Sequence, residues 1–350
     1  MVKFMKKKYS AVLIGTGRIG FSLGFDKKRE QPASHTMAVL NEKRIYFAGA
    51  ADTCEKNAER WEKYVNFHQG IFCKKVKVYS SSAELYKNIH PDIIIVAVNE
   101  ESHLKECMNA IAQKPKLIIL EKPVALNSVE GETLLNFSRE KKVPVMVNHE
   151  RRFDKSYSRV LSWIKKIGKI QWIHGELDSG LRVWGKEFEK DGTYSLIHDG
   201  THLVDTIRFL SGTMLKEPAV TGIVRDEKNI IRNFTALFST KEIPEIQIRM
   251  SGRSKFFEFR IEILGTEGKI CIGNGIQELY IRQKSSLYSN FYSLKKVPVK
   301  KIKKTCYFSG MIKNAADYLD GTAALLSPLE QSLTDLKILE TIKENFASEK

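Results

Sequence analysis

Along the first third of the chain, short runs of purely apolar residues alternate with longer amphipathic stretches, and further on the pattern changes to strict period-two alternation. Residues 11–14, 45–51, 92–98 and 116–120 are continuous hydrophobic runs, the pattern of parallel strands covered on both faces. Residues 102–113 and 129–141 carry helical spacing, and Ser34 sits where an N-cap would open a helix through Met37, Ala38 and Leu40. A further short strand covers residues 143–147. Residues 170–177 alternate as a strand, and of the further runs 234–238, 245–250, 256–264, 269–272 and 278–282 many show period two, the mark of an antiparallel sheet with one covered face. Residues 328–346 close the chain as a helix.

The expected fold class is therefore α/β: an N-terminal Rossmann doubly wound parallel sheet, followed by a C-terminal α+β domain with a mostly antiparallel open sheet. The expected boundaries are residues 1–125 for the first domain, 126–325 for the second and 326–350 for a C-terminal helix. A chain of 350 residues with 42% hydrophobic content has enough apolar material for two cores.

The first apolar run leads straight into Gly15-Thr16-Gly17-Arg18-Ile19-Gly20, a GxGxxG sequence at a strand-to-helix turn. Gly15 permits the tight turn, Gly17 admits a pyrophosphate to the backbone, and Gly20 allows close packing. The amides that follow would face the anion. The second run ends at Asp52, whose carboxylate is placed to accept hydrogen bonds from ribose hydroxyls. Thr53, Cys54 and Glu55 follow it, with no Arg or Lys to greet a 2′-phosphate, so the expected cofactor is NAD rather than NADP. Asp52 comes later than the usual interval of about 20 residues. The surplus falls in residues 21–32, which read as an inserted loop carrying Lys27, Lys28 and Arg29.

Ligands of such sheets bind outside the carboxyl ends of the strands. Asn99 and His103, after the third run, and Glu121 with Lys122, after the fourth, fall there and join the cofactor-site set. The densest further chemistry is His198-Asp199-Gly200-Thr201-His202-Leu203-Val204-Asp205. On a helix, Leu203, Ile207 and Leu210 bury one face while His198, His202 and Asp205 project from another. Two imidazoles and a carboxylate suit proton transfer. HDGTH is only superficially like the zinc pattern HExxH, no third-ligand motif follows, and no metal is expected.

Composition limits the alternatives. No apolar run approaches the roughly 20 residues of a membrane span, the basic start precedes a strand rather than a signal-peptide core, and the five cysteines form no paired spacing. These features lead us to expect a reduced, cytoplasmic protein. The net charge of +16 is large, but the 57 Lys and Arg are spread along the whole chain and their densest clusters lack interleaved aromatics. Nucleic acid is not the expected partner; anionic substrates or solubility account for the charge.

GTGRIG, Glu121-Lys122-Pro123, the NHERRF stretch at 148–153, GTHLVD at 200–205 and EILGTEGKI at 262–270 together resemble the glucose-fructose oxidoreductase, inositol dehydrogenase and MocA family, in order and spacing along nearly the whole chain. The resemblance implies a nicotinamide-dependent enzyme that oxidises a ring hydroxyl of a sugar, cyclitol or nucleotide sugar, or reduces the ketone, and that forms a homo-oligomer through the open sheet. It implies Lys122 at the reacting oxygen, His202 as general base with Asp205 in support, and Arg152 and Tyr157 near substrate with His198 and Asp199. The chain departs from the family in two places: His198 stands where relatives often have Asp, and the insertion displaces His35 from the glycine motif. Two other activities fit the same resemblance: glycoside hydrolysis by transient oxidation on NAD, and non-enzymatic dinucleotide-dependent regulation.

Overall fold

A computed structural model describes residues 9–70, 74–178 and 193–347. The chain forms two compact units, Met1–Asp154 with Lys304–Leu333, and Lys155–Lys303 with Thr334–Lys350.

The first unit is built on a six-stranded, fully parallel sheet: β1 (Tyr9–Ile14), β2 (Ile45–Ala51), β3 (Lys77–Tyr79), β4 (Ile93–Val96), β5 (Leu117–Leu120) and β6 (Val145–Val147), in the order β3-β2-β1-β4-β5-β6. The order reverses between β1 and β4, and that switch point opens a crevice at the strand carboxyl ends. Helices α1 (His35–Asn41), α2 (Glu55–His68), α3 (Ser82–Asn88), α4 (His103–Ala112) and α5 (Ser128–Lys141) are the crossovers. Every residue of β4 and β5 is buried, which is why these strands read as unbroken apolar runs. Ser34 caps α1 by accepting from the Met37 amide, as its position in the sequence predicts.

The boundary expected at 125/126 moves to Asp154/Lys155, because β6 completes the parallel sheet beside β5 and the short α6 (Glu150–Phe153) belongs with it. Two helices follow the boundary, α7 (Lys155–Ile164) and α8 (Thr193–Ser211), both in the second unit. The first unit then regains chain from the far end. Helix α9 (Tyr307–Leu319) buries Phe308, Met311, Ile312, Ala315 and Ala316 in the same core as Leu13, Phe47, Trp61 and Ile95. The closing helix α10 (Leu329–Glu344) starts in the first unit and ends in the second.

The second unit carries an eight-stranded sheet. Its members are β7 (Ile170–Asp178), β8 (Ala219–Arg225), β9 (Ile231–Phe238), β10 (Glu245–Ser251), β11 (Glu258–Gly265), β12 (Gly268–Gly273), β13 (Ile276–Lys284) and β14 (Tyr292–Val297). The order is β14-β13-β12-β11-β7-β10-β9-β8, antiparallel except where β7 runs beside β10. Ile173 and Leu177, Ile246 and Ile248, Phe259, Ile261 and Ile263 lie on the buried face, packed with Leu203, Val204 and Ile207 of α8. The opposite face is polar and less buried. There Arg249 pairs with Asp178 at 3.0 Å and Glu176 at 3.5 Å, and His174 meets Glu245 at 2.6 Å.

Candidate active site

The glycine loop closes as a built anion cradle. Gly15 has φ +93°, and a Cβ there would lie 2.5 Å from the Ala97 carbonyl oxygen, so the turn against β4 admits only glycine. A Cβ on Gly20 would sit 2.1 Å from the Gly15 oxygen, whereas one on Gly17 would meet nothing within 4 Å. The space beside Gly17 is thus left open in front of the loop. The amides of Phe21 and Leu23 turn back onto the carbonyls of Gly17 and Arg18, forming a helix-like turn whose leading amides, at Gly17, Arg18 and Ile19, are those a pyrophosphate would take. The residues present fit the diphosphate of a dinucleotide.

Asp52 differs from the sequence expectation. Its Oδ2 accepts from both the amide and the hydroxyl of Thr16, each at 2.7 Å, and its Oδ1 accepts from the Cys54 amide at 2.8 Å. Three of about four acceptor positions on the carboxylate are taken by the protein. Asp52 therefore fastens the glycine loop to the end of β2, and one position remains for a ribose hydroxyl.

The insertion is looped out so that its ends meet. The His35 amide donates to the Ile19 carbonyl at 3.2 Å, and Thr36 donates to the Gly20 carbonyl through both its amide (3.0 Å) and its hydroxyl (2.6 Å). His35 consequently stands beside the glycine motif despite its distance in sequence. The loop between is pinned at both ends. Phe21, Phe25 and Tyr64 form an aromatic cluster with centroids 5.1–5.4 Å apart, with the Arg60 guanidinium over Phe25, and Glu30 accepts from the Thr305 and Cys306 amides. Lys27, Lys28 and Arg29 are exposed.

His35, which sequence reading treated only as displaced, turns out to be central to a buried network. Its Nε2 lies 2.6 Å from Glu121 Oε1, and the Asn148 side-chain amide donates to the same oxygen at 2.7 Å. Burial opposes ionisation of Glu121, but the His35 hydrogen bond and charge, the Asn148 amide and the Lys122 ammonium hold its carboxyl below the ordinary carboxylate range. Lys122, half-buried, follows directly at the carboxyl end of β5.

His103 is fully enclosed, with Nδ1 2.6 Å from the Pro123 carbonyl oxygen and Nε2 3.2 Å from that of Val98. Burial pushes its imidazole below the usual range against those hydrogen bonds. Both ring nitrogens face backbone oxygens of the segments after β4 and β5, an arrangement in which His103 ties those segments together. Asn99 is exposed at the end of β4 and opens the short turn Glu100–Ser102.

In the second unit, His198, Asp199, His202 and Asp205 all lie on α8, in mid-helix rather than at a helix start. His198, Asp199 and His202 are half-buried, whereas Asp205 is 1% exposed. Gly200 is no helix breaker here. A Cβ on it would stand 3.0 Å from Met250 Sδ and 3.1 Å from Leu339, so glycine lets α8 approach β10 and α10. Asp335 of α10 comes within 4.8 Å of Asp205 and pairs with Arg208 at 2.5 Å, an ion pair with no sequence signal because its partners are far apart in the chain.

The two residues expected near substrate are both buried. Arg152 is buried and donates to the Leu326 carbonyl at 2.8 Å, and the Tyr157 ring lies in the second unit's core, edge-on to Phe259 at 6.5 Å. Among the described residues Cys54, Cys107, Cys271 and Cys306 are not joined in disulfides. No helix among them is long and apolar enough to cross a membrane.

A glycine-loop parallel sheet with the 3-2-1-4-5-6 order defines the doubly wound class of fold that binds dinucleotides at its switch point. Residues 9–149 match the model of the Gfo/Idh/MocA oxidoreductase family, NAD-binding Rossmann fold, and residues 162–271 match that of the Gfo/Idh/MocA C-terminal domain; the chain belongs to this family and its cofactor is NAD. It is 26% identical over 168 residues (47% of this chain, 46% of the relative) to the scyllo-inositol 2-dehydrogenase (NADP(+)) of Bacillus subtilis. It is 25% identical over 214 residues (57% and 61%) to the myo-inositol 2-dehydrogenase of Thermotoga maritima. Both alignments span less than two thirds of the relative. The fold is shared with the WlbA dehydrogenase of Bordetella pertussis, solved with NADH and UDP-GlcNAcA, at a TM-score of 0.73, 16% identity and coverage of 98% and 96%.

Proposed function

We propose that the protein is an NAD-dependent dehydrogenase acting on a ring hydroxyl of a cyclitol, sugar or nucleotide sugar. The observation that carries this reading is the juxtaposition at the end of β5, where Lys122 follows a buried, ionised Glu121 beside the glycine-loop crevice. A protein that only sensed a dinucleotide would need no such charged group there. The inositol dehydrogenase relatives and the nucleotide sugar held by the structural neighbour support the substrate class.

Gly15, Thr16, Gly17, Arg18 and Ile19 would hold the diphosphate, and Asp52 would offer its remaining acceptor to the adenosine ribose. Bound NAD supplies the hydride acceptor for oxidation and the donor for the reverse reaction. The chain's own work is proton management. His202 takes the hydroxyl proton, a task suited to an imidazole whose ordinary pKa lies near about 6.5. As the O–H bond breaks and the carbonyl forms, the Lys122 ammonium donates a hydrogen bond to the oxygen on which negative charge develops. Asp205 and His198, on the same helix as His202, support and orient it. Substrate binding falls to Asp199 and His198; Arg152 and Tyr157 support the site through packing. The uncovered polar face of the second sheet is our choice for the surface where copies of the chain associate.

The test of substrate class is a cofactor-reduction screen with NAD over free sugars, cyclitols and UDP-sugars. We expect NADH to form with members of one of these groups. NADH formation with none of them, together with glycoside cleavage in the presence of bound NAD, would replace this reading by hydrolysis through transient oxidation.

A further inference from the structure

We propose that His35 is a positioning residue which, through Glu121, keeps Lys122 in its ammonium form; this rests on the reading of Lys122 as the group at the reacting oxygen. His35 belongs to α1, and looping-out of residues 21–32 delivers it to the end of β5. Its side chain is wholly enclosed and stands edge-on to Phe308 at 5.2 Å, so packing fixes the ring plane that aims Nε2 at Glu121. Two donors, His35 Nε2 at 2.6 Å and Asn148 Nδ2 at 2.7 Å, converge on one carboxylate oxygen. Converging donors of this kind stabilise the anion in a place where burial alone would protonate it.

An ionised carboxylate one residue before Lys122 favours the charged amine. That matters for this chemistry, because the positive nicotinamide ring of the oxidised cofactor pushes a neighbouring amine the other way. The ionisable groups around Glu121 are His35 on α1, His103 on α4 and Lys122, with Glu100 beyond His103. Both nitrogens of His103 face carbonyl oxygens, and the imidazole nitrogen that meets Glu121 is His35 Nε2 at 2.6 Å. The insertion has a defined consequence: the chain tolerates a long excursion after Gly20 because Thr36 and His35 rejoin the loop by backbone hydrogen bonds at its base.

The experiment compares His35→Phe, which keeps a ring against Phe308 but loses the donor, with His35→Gln, whose amide restores one, and with Glu121→Gln. The primary readout is acylation of the Lys122 amine as a function of pH, followed by peptide mass spectrometry on the full-length protein, a measurement that needs no turnover. We expect the midpoint of Lys122 labelling to fall by about one pH unit in His35→Phe and in Glu121→Gln, with no further fall in the double variant and recovery in His35→Gln. The basic limb of the kcat profile should move with it. If Glu121→Gln does not fold, the two His35 variants carry the comparison alone. An unchanged labelling midpoint in folded His35→Phe, or a fall that His35→Gln leaves uncorrected, overturns the proposal. Full turnover in Lys122→Ala would instead overturn the proposed function, and it leaves the labelling result readable by itself.

Discussion

Asp52 spends most of its carboxylate on the protein's own loop, accepting from Thr16 and Cys54, and this alters how cofactor choice is argued at the residue scale. On the proposed reading, discrimination against a 2′-phosphate would come from the carboxylate held at the end of β2, with one acceptor left for a hydroxyl. NADH should therefore bind more tightly than NADPH in fluorescence titrations, and Asp52→Ala should narrow the difference by about tenfold or more, the scale of a hydrogen bond to a charged group. Equal affinities in the parent protein would contradict the assignment. The glycine motif and Asp52 were legible because their chemistry is local in sequence. The His35–Glu121–Asn148 network was not, since its three members come from α1, the end of β5 and the end of β6, and only the fold brings them together. Arg152 and Tyr157 show what residue type alone does not reveal: both are buried, with Arg152 donating to the Leu326 carbonyl and Tyr157 edge-on to Phe259.

At the scale of elements, strands were legible wherever burial imposed a pattern. β7, β9, β10, β11 and much of β13 alternate because one face is covered. β8 and β14 escaped notice because they flank the sheet with mostly exposed or half-buried side chains, which leaves no period to read. The helix expected around residues 198–205 is present as α8, and Gly200 lies inside it where Met250 and Leu339 stand too close for a larger side chain. Gly200→Val should consequently lower unfolding free energy by about 1–3 kcal/mol, the usual cost of overpacking, and urea titration monitored by circular dichroism measures it. An unchanged midpoint would mean that α8 has slack against β10 and α10.

For the whole molecule, the two-domain plan was legible from the switch between continuous and alternating hydrophobic runs, but the division of chain between the units was not. Periodicity identifies a helix without saying which sheet it covers, so the return of α9 to the first core is visible only in the fold. The reaction we propose gives Lys122 and His202 separate roles in the chemistry, and the account stands or falls on both being needed for turnover rather than for cofactor binding. The decisive measurement is single-turnover NADH formation, with the best substrate from the screen, in the parent protein, Lys122→Ala and His202→Ala, alongside NADH affinity. The account predicts a fall of about 100-fold or more in the rate for each variant, with NADH affinity nearly unchanged, because proton transfer and oxyanion stabilisation act in the transition state. Near-parental rates in both variants, with substrate still oxidised, would contradict it.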